Sequence, residues 1–128
     1  MQYVFTEIDH NYVNPESDKY ISQINDSFSE SSTWTSGNDI NEIYGGPYAV
    51  FNEYMTWSVY NLFILDNYSY EYFEYVNEQV VSQMINQRGF KYFDKFNQKL
   101  IELHNNREPG QKVKDLYPAI LAWAEQQQ

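Results

Sequence analysis

The sequence predicts an all-α domain of five to six helices, packed around a central aromatic-rich helix at about residues 48–66. Three observations lead there. Apolar residues recur at three- and four-residue spacing along most of the chain, the period of a helix that buries one face. No stretch alternates apolar and polar residues as a half-buried strand does. Aromatics make up 19% of the 128 residues, with thirteen Tyr, eight Phe and three Trp to fill a core. A chain of this length suits one domain, and this composition disfavours disorder.

Taken in order, residues 2–14 read as a short helix, with Val4, Phe5, Ile8 and Tyr12 at mixed helical spacing. Pro15 is expected to end it, because a residue before proline leans toward extended backbone. Residues 16–30 read as a second helix, with Ser17 as N-cap and Tyr20, Ile21, Ile24 and Phe28 as its apolar stripe. Residues 29–47 are rich in Ser, Thr, Asn and Gly and close on Gly45-Gly46-Pro47. They read as a long polar loop that Trp34 and Ile43 pin to the core.

Residues 48–66 carry the strongest helix signal. Val50, Tyr54 and Trp57 line one edge, with Phe51, Met55, Val59, Leu62 and Phe63 beside them. A stripe this wide predicts burial on most sides. Glu53 lies inside it, either at the stripe's edge facing water or held by a counter-charge or a metal. Residues 69–87 form the next helix. Ser69 is its cap, Phe73, Val76, Val80, Val81, Met84 and Ile85 its apolar face, and Glu71, Glu74 and Glu78 lie toward the other side. Tyr68, Tyr70, Tyr72 and Tyr75 read as packing and surface residues. Gly89 fits a C-cap. Residues 90–105 make another amphipathic helix, with Phe93, Phe96, Leu100 and Leu103 on one face and Lys91, Lys95 and Lys99 on another. Glu108-Pro109-Gly110 is a turn. Leu116, Tyr117, Ile120, Leu121 and Trp123 form a last short helix, with Pro118 in its first turn. Gln126-Gln127-Gln128 is expected to fray. No internal repeat is visible.

Charge and composition exclude several function classes. The net charge is −10, and it is uneven: residues 1–87 hold thirteen acids and one base (Lys19), whereas residues 88–128 hold five acids and seven bases. An acidic chain is a poor partner for a phosphate backbone, so no nucleic acid is expected. No apolar run approaches the roughly 18 residues of a membrane helix. No basic-then-apolar leader opens the chain. With no cysteine, there is no disulfide framework, thiolate zinc site or cysteine nucleophile.

One stretch carries candidate chemistry: Thr6-Glu7-Ile8-Asp9-His10-Asn11-Tyr12-Val13-Asn14-Pro15. On a helix, Thr6, Glu7 and His10 share one side. That is the layout of HExxH, in which two histidines hold zinc and the glutamate works on its bound water. Thr6 stands at the first histidine position, and a neutral hydroxyl is a weak zinc donor. Taken alone, ExxH carries little weight, since it arises by chance in most proteins.

The flanking phrases add to it. The run from Glu7 to Pro15, followed by Asp18-Lys19-Tyr20, resembles an uncharacterised bacterial family of zinc-metallopeptidase-like proteins. Its members carry a phrase close to HEFxHxFVNP and, later, an Asn-Glu-Tyr core matched here by Asn52-Glu53-Tyr54. Gly89-Phe90, Asn106-Arg107 and Tyr117-Pro118 extend the likeness over nearly the whole chain. The resemblance implies the C-terminal helical half of a gluzincin-like zinc peptidase, with Glu7 as general base and His10 and Glu53 as metal ligands. It implies peptide or protein as substrate, an extracytoplasmic setting and a missing N-terminal half. The Thr6 replacement makes the implied zinc site degenerate, with weak or no peptide hydrolysis. A second reading is a non-enzymatic helical interaction module, acting through the loop at 29–47 or the Tyr68–Tyr75 segment. Self-association through an apolar face is a further expectation.

Overall fold

A computed structural model of the chain describes Val13, residues 15–36 and residues 46–128. Among these there are six α-helices and no strand. We name them α1 (Ile21–Ser27), α2 (Ser31–Trp34), α3 (Pro47–Asn67), α4 (Tyr70–Ser82), α5 (Phe93–Asn105) and α6 (Tyr117–Gln127). The all-α class and the central aromatic-rich helix are as the sequence predicts.

Helix α3 is the axis. Gly46, at φ 106°, turns the chain into it, and Pro47 occupies its first turn, where a missing N–H costs nothing. Thirteen of its 21 residues are buried, which makes it a core helix rather than a surface one. It packs against α1, α4 and α5, while α6 closes the unit against α1 and α5.

Aromatic rings fill the space between these helices. Phe28 stacks on Trp34 with centroids 3.9 Å apart. Tyr54 meets Trp34 edge-on at 5.6 Å and Phe96 at 5.4 Å. Phe51 reaches Tyr117 at 5.9 Å. Edge-to-face contacts of this kind add roughly 0.5–1.5 kcal/mol each beyond burial. The phenol of Tyr54 donates to the Trp34 carbonyl, so the central helix is bonded to the end of α2. Burial pushes the Tyr54 phenol far above its ordinary range.

The helix ends depart from expectation in four places. Pro15 does not end a helix: residues 15–17 are themselves helical, and a 3₁₀ turn, Asp18–Tyr20, leads into α1. Ser17 stands just before that turn but its side chain makes no cap bond; it is buried, with its hydroxyl 3.3 Å from the Tyr117 phenol. Ile21 faces water at 46% exposure because the buried side of α1 is set by Ile24 and Ser27. Gln128 does not fray. Its amide oxygen accepts from the Glu30 N–H at 2.8 Å and the Trp34 indole at 3.3 Å, and its amide nitrogen donates to the Asp26 carbonyl. Ser69 does cap α4, accepting from the Tyr72 N–H at 3.2 Å. Beyond Ser82 the helix widens into a π turn, Gln83–Gln87, closed by Gly89 at φ 76° and by a bond from the Phe90 N–H to the Met84 carbonyl. Glycine adopts that left-handed conformation without a Cβ penalty.

Candidate functional site

The site residues expected from sequence are Glu7, His10 and Glu53, with Thr6 in the place of a histidine. Glu7, His10 and Thr6 lie outside the described residues, as do Ile43 and, Val13 apart, the helix expected over residues 2–14. Val13, three positions after His10, is buried, and its carbonyl accepts from the Tyr117 phenol at 3.3 Å.

Glu53 sits on α3 in the half nearer Pro47, between the buried Asn52 and Tyr54. Its side chain keeps 16% of its surface exposed. It is held by a cation from elsewhere in the chain: Arg88 Nη1 lies 3.3 Å from Glu53 Oε2. Arg88 follows the π turn after α4, and that turn delivers the guanidinium back onto α3. The same guanidinium lies 5.3 Å from the centroid of the Trp57 ring. Glu53 and Trp57 are four residues apart, one above the other on the helix face. Together they clamp the arginine by charge and by the negative face of the indole. A shielded carboxylate needs such a partner, since its desolvation is otherwise uncompensated. Glu53 is therefore held by a counter-charge rather than left facing water at the stripe's edge.

Zinc in a catalytic site takes three protein ligands and keeps one open position. No group of three His, Cys, Asp or Glu side chains converges among the described residues. Of the expected set, those residues include Glu53 alone, and it is bonded to Arg88. They do not by themselves make a zinc site.

Two further features stand out. The first is the outer side of α4. Tyr70 and Tyr75 are 65% and 63% exposed, and Tyr68 and Tyr72 about half so. Tyr68 touches Tyr72 at 5.2 Å and Phe63 at 6.3 Å, so these three rings form one surface across the α3–α4 corner. The Tyr60 phenol below them is pushed up, first by burial and then by the neighbouring Tyr72 and Tyr68.

The second is a buried histidine that sequence reasoning missed. His104 Nε2 lies 3.0 Å from both carboxylate oxygens of Asp66, joining the ends of α5 and α3. Its signal was present: Phe96, Leu100 and His104 fall four apart, on the apolar face of α5. A groove of ≈ 440 Å³ opens beside the pair, with Phe63, Arg107 and Lys112 on its walls.

No protein-family model, no curated protein and no solved structure matches this chain. No helix among the described residues is long and apolar enough to cross a membrane.

Proposed function

We propose that this chain is a metallopeptidase-like helical domain whose zinc site is degenerate and hydrolyses peptides weakly or not at all. The observation that carries the reading is the Glu53–Arg88 pair. The carboxylate that the family resemblance assigns to zinc already has a fixed cation, and Thr6 removes a second ligand. Both changes weaken a divalent site: one by charge competition, the other by donor loss. In this reading Glu7 keeps the base position and His10 remains a ligand without a full set of companions.

The test is calorimetric zinc titration of the purified chain and of His10→Ala, Glu53→Gln and Thr6→His. The wild type should bind weakly or not at all, and Thr6→His should bind more tightly than wild type. Stoichiometric, tight binding by wild type that survives both His10→Ala and Glu53→Gln would refute the assignment.

A second reading is favoured by the α4 surface. Three exposed tyrosines on α4, with a fourth, Tyr68, in the turn before it, are unusual for a protein that touches nothing, since tyrosine is enriched where proteins dock. In that reading the domain is a non-enzymatic interaction module and the α4 face is its contact surface.

A further inference from the structure

The outer face of α4 repeats an arrangement that the molecule uses internally. Within the fold, Glu53 and Trp57, four residues apart on α3, hold the Arg88 guanidinium between a carboxylate at 3.3 Å and a ring at 5.3 Å. On α4, Glu71 and Tyr75 have the same acid-then-aromatic spacing, and Tyr70 and Glu74 have it in reverse order. Glu78 follows Tyr75 by three, so the ring of Tyr75 has an acid on either side along the helix. All these side chains are exposed.

The face also carries unanswered charge. Helix α4 contains no Lys or Arg. No ion pair among the described residues involves Glu71, Glu74 or Glu78. Glu71, Glu74 and Glu78 stand at i, i+3 and i+7. Like charges at those spacings weaken a helix by a few tenths of a kcal/mol per pair. A partner that brings positive charge relieves this repulsion as it docks. A second copy of the chain would not serve as well, because two molecules each at −10 repel one another.

We propose that the Tyr70–Glu78 face of α4 docks an arginine-rich segment of a partner protein. The inference rests on the interaction-module reading above and names its partner class. Arginine rather than lysine follows from the internal example. A planar guanidinium stacks on a tyrosine ring while its N–H groups reach a carboxylate, whereas an ammonium is a compact, strongly hydrated point charge.

The experiment is fluorescence anisotropy with labelled octa-arginine, octa-lysine, octa-glutamate and a neutral leucine–serine peptide. The full chain is compared with Glu71→Gln, Tyr75→Ser and Tyr75→Phe, each checked for folding by far-UV circular dichroism. Octa-arginine should bind several-fold more tightly than octa-lysine. Tyr75→Ser and Glu71→Gln should each weaken it by about threefold, and Tyr75→Phe should leave it near wild type. Equal binding of octa-lysine, or indifference to Tyr75→Ser, would overturn the proposal in favour of bulk charge attraction. Preference for the neutral peptide, lost in Tyr75→Ser, would overturn the arginine assignment while keeping a docking face. Concentration-dependent dimers lost in the same variants would overturn it in favour of a second copy. No Tyr75-dependent binding by any of the four peptides would overturn both this inference and the docking reading.

Discussion

Asn61 on α3 and Asn97 on α5 form a buried amide ladder that should dominate the response of the fold to polar substitution. Asn61 Nδ2 donates to Asn97 Oδ1 at 3.1 Å, and Asn97 Nδ2 donates on to Asn77 Oδ1 at 2.7 Å. Asn61 is 0% and Asn97 1% exposed, so water cannot replace a lost partner at either one. Asn61 Oδ1 already has no hydrogen-bond partner. Replacing Asn97 with the similar-sized leucine leaves the whole Asn61 amide buried and unanswered. A buried orphaned polar group costs about 1–3 kcal/mol. Asn77 is half-buried and can turn to water, which adds little. Asn97→Leu should therefore destabilise by about 2–3 kcal/mol, a fall of about 8–12 °C in Tm for a domain of this size. Asn61→Leu should cost about 1–2 kcal/mol, since Asn97 keeps its bond to Asn77. The double variant removes the buried pair together and should cost less than the sum of the two single variants, with a favourable coupling of about 1–2 kcal/mol. Urea denaturation followed by circular dichroism and tryptophan fluorescence would measure all three. Additive costs in the cycle, or a cost below about 0.5 kcal/mol for Asn97→Leu, would refute the reasoning.

Further outcomes follow from other features. Trp34→Ala, which removes a fully buried ring stacked on Phe28 and edge-on to Tyr54, should cost about 3–5 kcal/mol in thermal or urea denaturation. Glu74→Lys places a base three residues after Glu71 and four before Glu78, so it should raise stability by about 0.3–1 kcal/mol, an effect that fades at high salt. The protein should also be sensitive to alkali. The Tyr54 phenol is raised when folded and titrates near its ordinary value of 10.0 when unfolded, so the unfolded chain loses that proton first. The stability due to the buried neutral phenol is complete below that value and is lost as pH rises above it. In an absorbance titration of phenolate, some tyrosines should ionise late and together with loss of the helical signal. Thirteen tyrosines titrating as one ordinary class in an intact fold would refute it.

Much of the architecture was legible because helical periodicity is a local signal. Most buried apolar residues of α3 and α4 follow from spacing, and so do the Ser69 cap and the Gly89 turn. But Phe63, expected in the α3 stripe, is 38% exposed, and the buried Asn52, Thr56, Ser58 and Asn61 leave no apolar signal. The corrections have a common physical cause, which is that tertiary partners overrule local rules. Ser17 has an N-cap's chemistry, yet Tyr117 is its partner across a hundred residues. Gln128 has a fraying end's chemistry, yet the α1–α2 corner holds it. Glu53 could be recognised as anomalous in an apolar stripe, but not as bound to Arg88. That contact depends on a π turn, and a one-residue widening of a helix leaves no mark in the apolar pattern. His104 lay on the apolar face and could have been marked by its spacing. Its pairing with Asp66, on another helix, could not be read from order along the chain.

The ring cluster at the centre of the fold also has an optical meaning. Trp34 is enclosed by Phe28, Tyr54, Tyr92 and Trp123 at fixed angles. Electronic transitions held in such a chiral arrangement give strong near-ultraviolet circular dichroism, and they lose it once the rings are free to turn. Backbone helicity would outlast that signal in a swollen state, because a helix needs less exact neighbours than a ring stack does. The protein thus carries an unlabelled gauge of side-chain order, read at wavelengths where the backbone is silent. Any ligand, variant or change of solvent can be sorted by whether it loosens the interior or melts the helices.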